Sequence, residues 1–336
     1  MKRTVLALGA AILALAMGAA AQAQTIKLGT LAPKGSPWYE NLQDMANDWS
    51  NAPGASIKVR IYPGGAIGDE SDMVRKMRIG QLQGAVLTAE GLSMIVPEVL
   101  ALQMPMMFSN DAELDYVRTA MADEFEKLFE ARGYKVLNWG DIGWVRLFSN
   151  APVVMPGDMK SLKLFTWAGD VELQRGYEMQ GFKPVPLPVP EIFSGLQSGM
   201  IDALYAAPVA ALSYQWFGLA PHMHDMKVIK LIGATVVTLD TWNKIPEAAR
   251  AEVLKAGRLA GMQSQEKIRA FEGEAIKVMV EHGLTVQPVT AEQAAVWEKG
   301  AVSAWSVYTD GPVPKAFLDR AVALRDEYRK QQAKAN

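Results

Sequence analysis

Few residues in this sequence have the type and spacing that chemistry requires, and the first such set is a histidine motif. His222, His224 and Asp225 lie within four positions and carry side chains that bind divalent metals. Neighbouring positions in one loop rarely complete a metal site alone, and the only other histidine is His282. We therefore interpret the pair as surface or core histidines and predict no metal site.

The second set is a glycine-rich segment, Gly64–Gly68, that leads into a predicted helix. Such a segment either binds an anion at the helix N-terminus or forms a plain tight turn. Walker, HExxH, GxSxG and GxGxxG motifs are absent from the sequence. Acidic pairs are common, but they are uninformative without geometry. The sequence therefore shows no catalytic constellation, and we predict neither an enzyme nor a cofactor.

Aromatic residues are concentrated between positions 138 and 170, and this density is the most informative feature. Exposed tryptophan is unfavourable, so the cluster indicates a core or a ligand pocket. It flanks two predicted strands, Gly143–Phe148 and Leu162–Trp167. The aromatic residues are Trp139, Trp144, Phe148, Phe165 and Trp167.

The elements before this cluster predict an α/β fold. Strands at Thr25–Leu31, Ile57–Tyr62 and Gly84–Thr88 alternate with two helices, which favours a right-handed parallel sheet. Ser36 and Asp69 are placed to cap those helices. Tyr134–Trp139 is predicted as a further, separate strand.

The elements after the cluster predict a second lobe and a long helix that braces both lobes. Glu247–Glu281 contains no proline and is rich in residues that favour helices. Its glycines argue against one unbroken rod. Two C-terminal helices follow a last short strand. We expect an α/β protein with two lobes.

The N-terminus has the features of a secretory signal peptide. Lys2-Arg3 precedes the apolar run Val5–Ala20, and Ala21-Gln22-Ala23 is a small-residue cleavage site. We predict that residues 1–23 are removed and that the protein is exported. Lobe 1 is predicted at 24–148, with 236–260 returning to it. Lobe 2 is predicted at 149–235, with 261–310 packing on it, and 311–336 form a C-terminal helix.

Composition narrows the class of partner. Half of the residues are hydrophobic, which supports a large core, and the net charge of −2 argues against nucleic acid as a partner. The absence of cysteine excludes disulfides, a thiol nucleophile and a lipid-modified N-terminal cysteine. The mature protein is predicted to be a free, exported monomer that closes on a small molecule.

Five motifs in this order resemble the solute-binding component of tripartite ATP-independent periplasmic (TRAP) transporters. Together they cover nearly the whole mature chain, and their order and spacing are more specific than any one of them. The motifs are Tyr62–Glu70 (YPGGAIGDE), Met104–Phe108 (MPMMF), Met155–Leu164 (MPGDMKSLKL), Gly195–Ala203 (GLQSGMIDA) and Thr241–Glu247 (TWNKIPE). The resemblance implies an α/β, two-lobed periplasmic binding protein (type II-like) with hinge strands and a long bracing helix. It also implies ligand capture in a cleft, delivery to an integral membrane permease and no catalysis.

Two departures from the family pattern concern the ligand. In the family, the third motif (Met155–Leu164 here) is normally followed by an arginine that pairs with a ligand carboxylate. Phe165 occupies that position in this sequence. A polar residue often precedes the proline that follows the fourth motif, whereas Ala207 occupies that position here. A guanidinium–carboxylate pair contributes about 1.5–3 kcal/mol, so its loss disfavours a carboxylate ligand. An apolar wall gains roughly 25 cal/mol per Å² of buried ligand surface instead.

We predict that aromatic residues form the walls of the ligand site. Arg146 shares a predicted strand face with aromatic residues and is either a pocket residue or a structural one. Glu90 either receives a polar ligand group or faces solvent. For Trp49, Trp297 and Trp305 we favour core packing. The predicted ligand-binding residues are Phe165, Trp167, Trp144, Arg146, Trp38, Tyr205, Ala207, Trp242 and Glu90.

The leading hypothesis is therefore a TRAP-type binding protein whose solute is more apolar than a C4-dicarboxylate, such as an aromatic or branched organic acid or a lipid-like molecule. The first alternative is a binder of C4-dicarboxylates or sugar acids that uses Arg146 or Lys163. The second alternative is an exported hydrolase or lyase on the same scaffold, which would need an acid, a base and a nucleophile in the cleft.

Overall fold

The computed structural model describes residues 24–335, and the predicted signal peptide lies outside the described residues. The described chain contains a mixed nine-stranded sheet with helices on both faces. The strands are β1 (Gln24–Thr30), β2 (Ile57–Tyr62), β3 (Gly84–Thr88), β4 (Tyr134–Ser149), β5 (Lys163–Trp167), β6 (Lys183–Leu187), β7 (Ala203–Ala206), β8 (His222–Thr238) and β9 (Thr285–Gln287). Their order is β2-β1-β3-β8-β4-β7-β5-β6, and β9 pairs with β8.

The helices fall into three groups along the chain. The first group is α1 (Pro37–Asn51), α2 (Glu70–Arg78), α3 (Ala89–Ser93) and α4 (Asp111–Ala131). The second group is α5 (Val171–Met179), α6 (Ile192–Gln197) and α7 (Pro208–Ser213). The third group is α8 (Leu239–Lys244), α9 (Glu247–Glu281), α10 (Ala291–Ser303), α11 (Trp305–Thr309) and α12 (Lys315–Ala335). We use lobe 1 for β1–β3 with α1–α4, and lobe 2 for β5–β7 with α5–α7.

The predicted helix caps and the predicted core tryptophan are confirmed. The Ser36 side chain accepts a hydrogen bond from the Tyr39 N–H, and that of Asp69 accepts one from the Glu70 N–H. Trp49 is fully buried beside Leu42. No helix among residues 24–335 combines the length and the apolar character that crossing a membrane requires.

Strands β4 and β8 form the hinge between the lobes. They are antiparallel, with 16 and 17 residues, and both extend from lobe 1 into lobe 2. The prediction of two separate strands over 134–148 is wrong, because the ladder continues through register shifts at Val136/Asn138, Asp141/Gly143 and Val145/Leu147. Such bulges absorb extra residues without ending the pairing. The parallel arrangement that we predicted is correct for β1–β3, whereas β8 pairs with β3 in antiparallel orientation.

Helix α9 spans 35 residues without a break and matches the predicted range. It packs against β4, and Gly261 explains how this helix tolerates a glycine. A Cβ at Gly261 would lie 2.6 Å from the carbonyl oxygen of Trp139, so only glycine permits this close approach. The glycine that lowers helix propensity therefore allows the helix to contact the hinge.

A buried ion cluster connects the hinge to α4 and α9; we call it the Asp141 cluster (Asp111, Arg118, Asp141, Lys230 and Arg269). Asp141 lies 2.9 Å from Arg118 Nη1, 2.8 Å from Arg269 Nε and 3.5 Å from Lys230 Nζ. Lys230 Nζ also lies 2.8 Å from Asp111 Oδ1, in the geometry of an ion pair rather than of a directed hydrogen bond. Burial alone would raise the pKa of Asp141, but the three cations outweigh burial and lower it.

Candidate ligand-binding site

A cavity of about 240 Å³ lies where the two lobes meet. Lobe 1 contributes Glu90, at the start of α3, and Gln103. Lobe 2 contributes the C-terminal end of β5 and one side of α5, and the hinge strand β8 lines another wall. Helices α10 and α11 cover the remaining side. The cavity therefore has the size and the position of a site for a small molecule between two lobes.

Among the described residues that line the cavity, seven are aromatic and most of the others are aliphatic. Phe165 and Trp167 lie on one face of β5, and Thr166 between them also lines the cavity. Alternate residues of a strand point to opposite faces, so the cavity reaches around the end of β5. The aromatic lining residues are Phe165, Trp167, Tyr177, Phe182, Tyr205, Trp297 and Tyr308.

Two carboxyl groups face this aromatic cavity. Glu90 lies beside Gly169, the residue before Asp170. Burial, together with the neighbouring carboxylates of Asp170, Glu70 and Asp69, raises the pKa of Glu90 to about 9. Burial also raises the pKa of Asp170, although its carboxylate accepts a hydrogen bond from the Leu173 N–H at 2.9 Å. No lysine, arginine or histidine occurs among the described residues that line the cavity.

Three buried polar atoms of lining residues have no hydrogen-bond partner within residues 24–335. Gln103 Nε2 donates to the carbonyl oxygens of Leu102 and Lys230, which leaves Gln103 Oε1 as an unused acceptor. Thr166 Oγ1 is the second such atom, and its residue is 1% exposed. Trp167 Nε1 is the third and can only donate. Buried polar groups are normally paired, so these atoms are suited to contact a ligand.

Four predicted site residues line the cavity together, namely Phe165, Trp167, Tyr205 and Glu90. The other five lie elsewhere. Arg146 is buried on β4, where its guanidinium binds Glu272 at 2.7 Å and Asp225 at 3.1 Å. The register shift beside it breaks the strand alternation on which the pocket interpretation of Arg146 depended. Arg146 therefore links the hinge to α9.

Trp144 and Trp38 do not line the cavity. They make structural contacts near the hinge. The Trp144 indole N–H donates to Asp111 Oδ1 at 3.0 Å, and Lys230 lies over the ring. The Trp38 indole N–H donates to the carbonyl oxygen of Asp141 at 3.1 Å. Both tryptophans thus contact residues of the Asp141 cluster, which satisfies their N–H groups away from the cavity.

Ala207 and Trp242 are also packed outside the cavity. The Ala207 Cβ lies 3.0 Å from the position that a Cβ on Gly143 would occupy, so it fills the contact between β7 and the hinge. Trp242 is 9% exposed and packs in the core beneath β1. Lys163, the alternative anion partner, donates to the carbonyl oxygen of Gly199 and does not line the cavity.

The glycine-rich segment that we considered as an anion site contacts the opposite lobe instead. Gly65 has φ +72°, and a Cβ there would lie 2.6 Å from Pro190 of lobe 2. Asp69, at the N-terminus of α2, accepts a hydrogen bond from the Val189 N–H at 3.1 Å. The carboxylate of Asp69 thus occupies the helix N-terminus, which makes the site unfavourable for an anion. These contacts close the lobes beside the cavity.

Sequence reasoning missed the contribution of the C-terminal helices and of the polar lining. Trp297 was predicted to be core, and it is 7% exposed yet also lines the cavity. Tyr177 and Tyr308 lie on short helices, and neither has a motif that distinguishes it from a packing residue. Asp170 was recognisable only as the first residue of a helix. Its relation to Glu90 depends on a contact between lobes that sequence spacing does not encode.

The raised carboxyl pKa values predict how stability depends on pH. Burial raises the pKa of Glu70 to about 7, against about 9 for Glu90. A carboxyl group with a raised pKa binds a proton more strongly in the folded state, so its contribution is present below its unfolded pKa and is lost as pH rises through the folded pKa. We expect the free energy of unfolding to fall between about pH 5 and pH 9, and Glu90→Gln to flatten the part of this decline above about pH 7.

Urea denaturation at several pH values measures this effect. The matched control is Glu266→Gln on the exposed side of α9, which removes the same charge and should keep the wild-type slope. Equal slopes for Glu90→Gln and wild type would show that Glu90 does not take up a proton in this range.

Two lobes joined by continuous antiparallel strands, a long bracing helix and a cavity at the junction define a two-lobed α/β solute-binding protein. The family model described as bacterial extracellular solute-binding protein, family 7, matches residues 28–310. The chain therefore belongs to that family.

Known proteins with the same fold agree with this assignment. The sialic acid-binding periplasmic protein of Vibrio cholerae is 21% identical over 282 residues, which cover 82% of this chain and 87% of that protein. A TRAP periplasmic solute-binding protein from Ralstonia eutropha, solved with bound (S)-2-acetolactate, has a TM-score of 0.84 at 18% identity and covers 90% of this chain and 99% of its own. One from Sulfurospirillum deleyianum with bound succinate has a TM-score of 0.83 at 18% identity, with the same coverage.

The family confirms the predicted class of protein. The chain is an extracellular solute-binding protein of that family, and the solved structures that share its fold are TRAP periplasmic solute-binding proteins. The alternative of an exported hydrolase or lyase is therefore not supported.

Proposed function

We propose that this protein captures a small solute more apolar than a C4-dicarboxylate and delivers it to its TRAP permease in the periplasm. In this scheme residues 1–23 are removed on export and the mature protein is a monomer. The solute is an aromatic or branched organic acid or a lipid-like molecule. The observation that carries the proposal is the set of lining residues, in which aromatic and aliphatic side chains together predominate and cationic ones are missing among those described.

Energetics disfavour a small dicarboxylate in this cavity. Its two negative charges would lie near Glu90 and Asp170 with no cation to pair them. Burying an unpaired charge costs at least several kcal/mol. Apolar ligand surface placed against Phe165 and its neighbours gains roughly 25 cal/mol per Å².

A single carboxyl group can still be accommodated by neutral donors. Trp167 Nε1 is an unused donor at the edge of the cavity. Glu90 is protonated at neutral pH, because burial raises its pKa to about 9, and its hydroxyl can then donate as well. A weak acid with an apolar body therefore fits better than a compact dianion.

The second candidate is a ligand of the ordinary kind, a C4-dicarboxylate or a sugar acid. The relatives favour it, since succinate is bound in the Sulfurospirillum deleyianum structure. It would require Arg146 or Lys163 to leave its present partners, Glu272 in the case of Arg146. The buried ion pair of Arg146 opposes that change.

A thermal-shift screen tests the proposal. We expect hydrocinnamate or a medium-chain fatty acid to raise the melting temperature, and succinate, malate and galacturonate to leave it unchanged. Mass spectrometry of small molecules that co-purify with the protein provides an independent measurement. Stabilisation by succinate or galacturonate, without any effect of the apolar acids, would contradict the proposed ligand class.

A further inference from the structure

We propose that the cavity binds the positively charged nitrogen of an organic ammonium group carried by the apolar solute. This inference rests on the function proposed above, because it specifies the chemical class of ligand for the same cavity. It adds a positively charged group to the proposed apolar solute, and the sign of that charge is opposite to that of a carboxylate.

The first support is the charge of the lining. Glu90 and Asp170 are its two ionisable acids, and their mutual repulsion contributes to the raised pKa of Glu90. Within residues 24–335, no hydrogen bond or ion pair engages the side-chain carboxyl group of Glu90, and one oxygen of Asp170 caps α5. Both acids are half-buried and no cationic side chain of the described residues lines the cavity, so an ammonium ligand would supply the positive charge that favours their ionised forms.

The second support is independent of charge and comes from unused acceptors. Gln103 is 6% exposed and Thr166 is 1% exposed, and both line the cavity. Gln103 Oε1 and Thr166 Oγ1 have no partner among the described residues. An amide oxygen can only accept, so Gln103 requires an N–H or O–H donor from the ligand. A primary ammonium group carries three such donors.

The aromatic walls provide the third support. Tyr308 lies near Asp170 and Glu90, and Tyr177 lies near Asp170, because burial and these carboxylates raise the pKa of their hydroxyl groups. Trp167 and Tyr205 line the same cavity. The negative faces of aromatic rings attract cations, and this attraction strengthens when water is excluded. The same rings would receive the apolar body of the solute. Aromatic faces and uncompensated carboxyl groups together favour an organic cation over a hydrated metal ion.

The protein's own buried cations are engaged elsewhere and do not neutralise the acids. Arg146 binds Glu272 and Asp225, and Lys230 binds Asp111. Each of these pairs lies on the hinge side of the fold, outside the cavity lining. A positive charge beside these two acids would therefore come from the ligand.

Ammonium binding should be coupled to proton release. Glu90 is faced by Asp170 from α5, by Asp69 and Glu70 from α2, and by Tyr308 from α11. An ammonium group favours the ionised form of Glu90 and lowers its pKa. Affinity should therefore increase as pH rises from about 7 towards 9, while the amine keeps its own proton.

The experiment compares three probes that share one phenyl body, namely phenethylamine, phenethyl alcohol and hydrocinnamate, by isothermal titration of the mature protein. We expect phenethylamine to bind at least about tenfold more tightly than phenethyl alcohol. The variant with Glu90→Gln and Asp170→Asn should lose this difference and keep the alcohol affinity within about twofold. Asparagine retains the helix cap at position 170, so the fold is preserved. Asp240→Asn, a change at an exposed carboxylate of α8 outside the cavity, is the matched control and should behave as wild type.

The outcomes separate the two proposals. Alcohol or hydrocinnamate binding that equals or exceeds phenethylamine binding overturns the ammonium assignment and leaves the apolar ligand class intact. Binding of succinate or galacturonate alone overturns both. A failure of phenethylamine to bind at all also overturns the ammonium assignment, as does a double variant that retains the full preference for the amine.

Discussion

Replacing Asp141 with alanine is expected to lower the free energy of unfolding by about 3–5 kcal/mol, the usual effect of removing one partner from a buried ion pair. Asp141 is 1% exposed and lies at the centre of the Asp141 cluster. Without its carboxylate, the described residues leave Arg118 paired with Asp115 alone and the fully buried Lys230 with Asp111 alone. The cations then remain buried with too little negative charge, and α9 loses an anchor to β4.

Guanidinium denaturation followed by circular dichroism measures this loss. The matched control is Asp240→Ala, which removes an exposed carboxylate paired with Lys244 four residues later. Exposed pairs of this kind contribute about 0.3–0.5 kcal/mol, so the control should be nearly neutral. Similar losses for both variants would mean that the Asp141 cluster is not important for stability.

Replacing Phe165 with arginine is expected to weaken binding of the native solute by about 100-fold or more. Phe165 is 8% exposed and lines the cavity, so the guanidinium would enter the cavity itself. There it would replace an apolar wall, occupy the space of the ligand and attract the carboxyl groups of Glu90 and Asp170. A loss of about 3 kcal/mol corresponds to that change in affinity.

Two controls accompany this measurement, which uses titration of the co-purified solute. Phe165→Leu keeps an apolar side chain and should reduce affinity by less than about tenfold. Phe193→Arg makes the same change at an exposed aromatic residue of α6 outside the cavity, and it should have no effect. Unchanged binding by Phe165→Arg would place Phe165 outside the ligand site.

Local patterns in the sequence were sufficient to predict most helices and strands and the class of protein. The range of α9 follows from a long segment without proline, and the caps at Ser36 and Asp69 follow from local hydrogen bonding. The continuity of strand β4 was missed, because Gly140 and Gly143 predict a break in the strand when only the local sequence is considered. Pairing with β8, more than 70 residues later, keeps this segment extended along its length.

The candidate site was harder to predict from the sequence, because it depends on contacts between segments that are distant along the chain. Phe165 and Trp167 could be identified from their position after a motif, and Glu90 from its place after a strand. Trp144, Trp38 and Arg146 were selected for their side-chain type, but pairing with Asp111, Asp141 and Glu272 directs them to the hinge. The partner of a polar side chain decides where it points, and that partner is not adjacent in the sequence.

The continuity of β4 and β8 has a consequence for how the nascent chain acquires its structure. Tyr134 pairs with Thr238 and Ser149 pairs with His222, so neither lobe can complete its sheet before β8 has been synthesised. Pairing over such separations slows folding, because loop-closure entropy must be overcome first. The first two thirds of the polypeptide therefore stay incompletely folded during translation, a state that suits passage across a membrane before the tertiary structure forms.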